Sequence, residues 1–181
     1  MITKEIWKEI EHQIHYVWRH EISEDYARGK LWKEDSLKCS LYHHLRMFME
    51  NILDKYNLRI YPEYYVKATK QRVDLAIVEM DMDQSYYIKE CVKNVVAVFE
   101  LKYISEQRDI PWAKSDIYKM RNLLKNAGLD CHYFFTIIYE NECDELYFMD
   151  KRSSNNWAKG RVTELNAGLI GDEMIFEVKQ W

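Results

Sequence analysis

Glycine and proline are scarce. The 181 residues hold 5 Gly and 2 Pro, so long flexible linkers are not expected, and the length suits a single domain spanning 1–181. Cysteine is sparse too. Cys39, Cys91, Cys131 and Cys143 stand far apart with no CxxC pair, which argues against a zinc ribbon and leaves idle or buried thiols in a reducing cytosol as the expectation. No run of about 18 apolar residues occurs, so neither a membrane span nor a membrane partner is expected. The opening MITKEIWKEIEH lacks the apolar stretch of a signal peptide, and the expected location is cytoplasmic. An excess of positive charge is also missing. With 26 Lys+Arg against 30 Asp+Glu the net charge is -4, which speaks against a generic DNA-coating protein. Local basic patches and bound cations can still supply positive charge where it is needed. There is no Gly-rich phosphate loop, no GxSxG elbow and no internal repeat.

What is present is a globular composition, 48% hydrophobic and 31% charged, enough for a sizeable core. Ile6, Ile10, Ile14 and Val17 recur at helical spacing and predict a helix over 3–28, ended by Gly29. A second helix is expected at roughly 35–56, capped by Asp35 or Ser36, with Leu37, Leu41, Leu45, Phe48 and Ile52 on one face. Strands follow at 59–67 and 72–79, the latter with Val73, Leu75 and Ile77 on one face and Asp74 on the other. After a polar connection over 81–93, the run Val95-Val96-Ala97-Val98-Phe99 within 94–103 reads as a central strand buried on both sides. Pro111 opens a helix with a stripe of Trp112, Ile117, Met120, Leu123 and Leu124, stopped near Gly128. Another apolar strand covers 132–139, and shorter strands are expected at 145–149, 161–165 and 173–178, with a loop at 153–156. The order implies an α/β fold, a mixed β-sheet flanked by helices, with an extra N-terminal helix and a strand-rich C-terminal tail over 143–178.

Three charged residues stand inside or beside the most apolar strands. Glu100 and Lys102 are two apart, so both point to one face. Burying them is costly unless they are paired or bound to a cation. If the Asp74 strand pairs with theirs, the two carboxylates converge into an oxygen-rich site that suits Mg²⁺. The competing reading makes all three solvent-facing charges or a structural ion pair.

Arg72-Val73-Asp74 followed by Phe99-Glu100-Leu101-Lys102 resembles the PD-(D/E)xK signature of the restriction-endonuclease-like nucleases. The order of elements from about residue 34 to 140 is similar to that superfamily's core of helix, three strands, helix and strand, somewhat over half of the chain. Val73 stands where the signature's name has proline, and the connection between Asp74 and Glu100 is long. The resemblance implies Mg²⁺ (or Mn²⁺) held by Asp74, Glu100 and the main-chain carbonyl of Leu101, with Lys102 orienting or deprotonating the attacking water. An accessory glutamate is expected from Glu34 first, Glu63 second and Glu50 third. The implied activity is phosphodiester hydrolysis in nucleic acid, DNA ahead of RNA, in a possible homodimer.

The chain carries its own control. Glu177-Val178-Lys179 also fits the triplet, but too little chain follows it for a crossover helix and closing strand, so a structural role is expected. His12 and His15, three apart on a helix, are expected to face solvent, and of the adjacent His43 and His44 at most one can face a site. Lys114, Lys119, Arg121 and Lys125 form a basic helix face that contacts either solvent or a nucleic-acid backbone. Trp112, Tyr61, Tyr64 and Tyr65 serve either packing or base stacking. Two other function classes stay open. One is a catalytically inactive nuclease-fold protein that binds nucleic acid or protein; the other is a small inhibitor, which the acidic charge suits.

Overall fold

A computed structural model describes residues 2–83, 85–105, 111–126, 131–143, 145–147, 149, 158 and 160–181, with side chains of the final helix taken from 116 to 125. Gly128 and the stretch 153–156 lie outside the described residues, as do the side chains of Trp112 and Lys114.

The N-terminal helical region runs from α1 (Lys4–Tyr16) through a π-helical stretch, Val17–Ile22, into α2 (Ser23–Ala27). The expected single α-helix is therefore interrupted by a wider turn, in which Val17, Trp18 and Ile22 are all buried. Gly29 ends the region in the left-handed conformation, φ 69°, which costs glycine nothing. Helix α3 (Glu34–Lys55) starts one residue earlier than its pattern suggests. Its N-cap is Lys33, whose backbone N–H donates to Ser36 Oγ at 2.9 Å, so Ser36 serves the cap from inside the first turn and Asp35 does not. Its buried stripe is Leu37, Leu41, Leu45, Met49, Ile52 and Leu53; Met49 takes the core position expected of Phe48, which is exposed.

Strands β1 (Leu58–Val66), β2 (Gln71–Met80), β3 (Val92–Ile104), β4 (His132–Glu142), β5 (Val162–Ile170) and β6 (Glu173–Gln180) form one six-stranded sheet in sequence order. The pairs β1–β2, β2–β3 and β5–β6 are antiparallel; β3–β4 and β4–β5 are parallel. Helix α4 (Pro111–Asn126) lies in the crossover between β3 and β4. The C-terminal strands thus extend the sheet rather than trail from it. The expected strand at 145–149 is not formed at 145–147, which are irregular. There the Leu146 carbonyl accepts from the Asn166 side-chain amide, a partner that replaces a ladder.

The sheet is covered on both faces. One face packs Leu75, Ile77, Phe99, Leu101, Phe134 and Ile138 against α1 and α3. The other packs Ala76, Val78, Val98, Phe135 and Ile137 against Met120, Leu123 and Leu124 of α4. Val73 belongs to this second cluster, not to the Leu75 and Ile77 side expected for it. Trp18 fastens the N-terminal helices to the far edge, donating its indole N–H to the Glu177 carbonyl at 3.1 Å. Among the described residues no helix is long and apolar enough to cross a membrane.

Phe134 stacks on Phe99 with ring centroids 4.7 Å apart, and both rings are fully buried at the middle of the sheet. Phe134→Ala is therefore expected to lower unfolding free energy by about 3–5 kcal/mol. Urea unfolding of the two proteins measures it; a loss below about 1 kcal/mol would contradict this packing.

Candidate functional site

The candidate residues gather where β3 runs out of apolar sequence. Alternation sends Ala97, Phe99 and Leu101 into the α1–α3 face, so Val98, Glu100, Lys102 and Ile104 turn toward α4. The antiparallel register pairs Leu75 with Phe99, and Asp74, the residue of β2 before Leu75, lies near enough to Glu100 for its charge to act on that carboxyl. The ladder is replaced there by a side chain, because Asp74 Oδ2 accepts the Leu101 N–H at 2.7 Å. The Leu101 carbonyl leaves the strand on the same side as its N–H, toward β2 and Asp74.

Glu100 is buried. Its Oε1 accepts from Lys119 Nζ at 2.5 Å, while Oε2 is enclosed and has no hydrogen-bond partner. Burial pushes its carboxyl up to about 7; the Lys119 hydrogen bond opposes that rise, and the nearby Asp74 charge adds to it. Lys102 lies between two helices, its Nζ 3.5 Å from Glu34 Oε2 and 3.9 Å from Asp116 Oδ2. Burial works against its charged form, yet Glu34, Asp116, Glu100 and Asp74 together hold its pKa above the usual lysine value. Burial raises the carboxyls of Glu34 and Asp116, with Lys102 pulling both back down.

The sequence candidates separate at this point. Asp74, Glu100, Lys102 and Glu34 come together, along with the main chain of Leu101. Glu63 does not join them through its side chain. It sits on β1 at φ 52°, at the one rung missing between Pro62–Leu75 and Tyr64–Val73, and its carboxylate is taken by Lys38 and by Arg72 at 3.9 Å. A glutamate in the left-handed region is strained backbone, and here the strain accompanies the break in the ladder opposite Asp74. Glu50 is exposed on α3 beside Tyr42 and Arg46, in a surface groove away from the cleft.

Two contributors escaped the sequence reading. Lys119, expected on an outer basic face, turns inward to Glu100, whereas Arg121 and Lys125 are exposed. Asp116 was not singled out at all. It precedes the buried Met120 and Leu123 by four and seven residues, which places a carboxylate in the core-facing stripe of α4. Charge at an apolar stripe position is the signal that could have found it. Tyr133 adds a fully buried, partnerless hydroxyl, raised well above the usual phenol value by burial and then by the charges of Glu100, Asp116 and Asp74.

The remaining candidates have structural surroundings. Glu177 accepts from the Tyr147 hydroxyl, and the Lys179 ammonium lies 3.7 Å from the Tyr147 ring centroid, on β6 at the far edge of the sheet. Burial lowers His15 to about 4. His44 Nε2 meets Asp25 Oδ2 at 2.9 Å, and the same oxygen accepts from Ser40 at 2.6 Å. Cys39 is exposed, and Cys91 and Cys131 are buried. Tyr61 and Tyr64 pack against the α4 side of the sheet, and Tyr65 is exposed.

Among the described residues no three His, Cys, Asp or Glu side chains form a ready metal cage. The donor set still fits a hard divalent cation. Such an ion takes one or two carboxylates and completes its shell with water and substrate oxygens, and the partnerless Glu100 Oε2 next to Asp74 offers that kind of anchor. No family model, no curated protein and no solved structure matches this chain.

The Glu100 environment has a pH signature. Its carboxyl titrates near 7 when folded against an ordinary value of 4.5, so ionisation is harder in the folded state. Its contribution to stability is therefore full below about 4.5 and is lost as pH rises through about 7, a change of roughly 3 kcal/mol. In cation-free buffer, Glu100→Gln is expected to flatten the dependence of unfolding free energy on pH between 5 and 8. Equal slopes for the two proteins in urea titrations would show that Glu100 is not desolvated as described.

Proposed function

We propose that this chain is a metal-dependent nuclease of the restriction-endonuclease-like, PD-(D/E)xK type, hydrolysing phosphodiester bonds in nucleic acid, with DNA ahead of RNA as its substrate. One observation carries the reading: a buried Glu100 oxygen without a partner, flanked by Asp74 on the next strand and followed two residues on by Lys102. The succession α3, β1, β2, β3, α4, β4 supports it, since that is the element order the resemblance implies.

Asp74, Glu100 and the Leu101 carbonyl would hold Mg²⁺ or Mn²⁺. When bound, such an ion polarises the scissile phosphate and offsets the charge that develops in the displacement. The protein's own groups do the rest. Asp74 has one oxygen fixed by the Leu101 N–H, so its carboxylate is oriented before any substrate arrives. Lys102 is held charged by four carboxylates, which suits an ammonium that donates to and orients the attacking water or a phosphate oxygen; it does not suit a neutral amine that removes a proton. Glu34, half-buried at the edge of the cleft and 3.5 Å from Lys102, would accept a proton from that water.

A second reading, a non-cutting relative that binds nucleic acid or protein, is favoured by the Lys119–Glu100 pair, because an ammonium on Glu100 competes with a cation for it. The two readings differ in one assay. Wild type is expected to cleave DNA with Mg²⁺ or Mn²⁺ and not with EDTA. Asp74→Ala, Glu100→Ala and Lys102→Ala are each expected to lower the rate by on the order of 100-fold or more. The carboxylate variants should also lose the cation-dependent rise in melting temperature, which Lys102→Ala should keep. Wild type that cleaves neither DNA nor RNA and shows no cation-dependent shift would favour the non-cutting relative.

A further inference from the structure

We propose that Asp116 of the crossover helix is a positioning residue that, together with Glu34, fixes the ammonium of Lys102 over the cleft; this rests on the nuclease reading above. Its side chain is 14% exposed, and Oδ2 is enclosed with no hydrogen-bond partner. Leaving a carboxylate oxygen in that condition is costly. The cation that answers it is Lys102 Nζ at 3.9 Å, a separation that gives Coulomb attraction without a hydrogen bond. Lys119, one turn further along the same helix, is committed to Glu100 at 2.5 Å. Met120, Leu123 and Leu124 bury the helix against the sheet and hold Asp116 facing Lys102.

The geometry gives this pairing a purpose. A lysine stem has four rotatable carbons, so its ammonium wanders unless it is held from more than one side. Glu34 comes from the start of α3, the helix that packs on one face of the sheet. Asp116 comes from α4, which packs on the other. Two acidic groups on opposite walls fix the ammonium between them, and neither is bound to it so tightly that it cannot turn to a substrate oxygen.

The test uses the whole chain and two independent readouts. The first needs no activity: brief acylation of lysine amines by an N-hydroxysuccinimide ester, read by peptide mass spectrometry. Asp116→Asn is expected to speed acylation of Lys102 several-fold relative to Lys93, which is paired with Glu79 at the other end of β3. Asp116→Glu is expected to restore most of the protection. The second is cleavage. Asp116→Asn should lower kcat roughly 10- to 100-fold, with KM and the Mn²⁺-dependent melting shift retained. Unchanged acylation of Lys102 overturns the proposal. So does loss of the Mn²⁺-dependent shift, because Asp116 would then be a metal ligand. If Lys102 responds as expected but wild type cleaves nothing, the clamp stands and the nuclease reading fails.

Discussion

Glu100 carries one oxygen on the Lys119 ammonium and another enclosed with no partner, and the charges around it are arranged about that carboxylate. Asp74 acts on the carboxyls of Glu34, Glu100 and Asp116, all four carboxylates act on the Lys102 ammonium, and Lys119 stands among them on Glu100. Lys38 feels Asp74 as well, but its first partner is Glu63. The excess of negative charge in a buried place is unfavourable for an isolated fold. It becomes favourable when a divalent cation neutralises it, which is the usual reason to keep such a cluster at a functional site.

The sheet explains why the cluster can exist. From Val95 to Phe99, β3 is apolar on both faces, paired with β2 and, from Ala97 onward, with β4 as well. Rigid neighbours on both sides hold the residues that follow, so Glu100 and Lys102 are presented by a strand rather than by a loop. The cost of desolvating them is met locally, by α4 from one side and the start of α3 from the other. A few other buried polar groups are handled without a cleft. Asp25 accepts from Lys30, Ser40 and His44, and its carboxyl is held well below the usual range by those hydrogen bonds against the opposing effect of burial.

Much of this was legible in the sequence, for identifiable reasons. The run Val95–Phe99 reads as a strand buried on both faces, and period-two alternation then puts Glu100 and Lys102 together. Asp74 follows once β2 pairs with β3. What was not legible depends on tertiary placement. Ile14, Trp18 and Ile22 stand four apart, a spacing that fits an ordinary helical turn as well as a wider one, so periodicity does not reveal the π-helical turn at Val17–Ile22. The irregular path at 145–147 follows from its bond to the Asn166 side chain, a contact that local propensity does not encode. Glu63 was a reasonable ligand candidate by type, but nothing in its identity announces a left-handed backbone or capture by Lys38. Asp116 and Lys119 look like ordinary surface charges until the helix is rotated so that Met120 and Leu123 face the sheet.

On the nuclease reading, Asp74 and Glu100 together bind a divalent cation beside a charged Lys102. Anomalous diffraction from crystals grown with Mn²⁺ tests it most directly. The expected result is a strong anomalous peak between the Asp74 and Glu100 carboxylates, with Lys119 moved off Glu100 and Lys102 still held between Glu34 and Asp116. A crystal at saturating Mn²⁺ in which Lys119 remains on Glu100 and no peak lies within coordination distance of either carboxylate would contradict it.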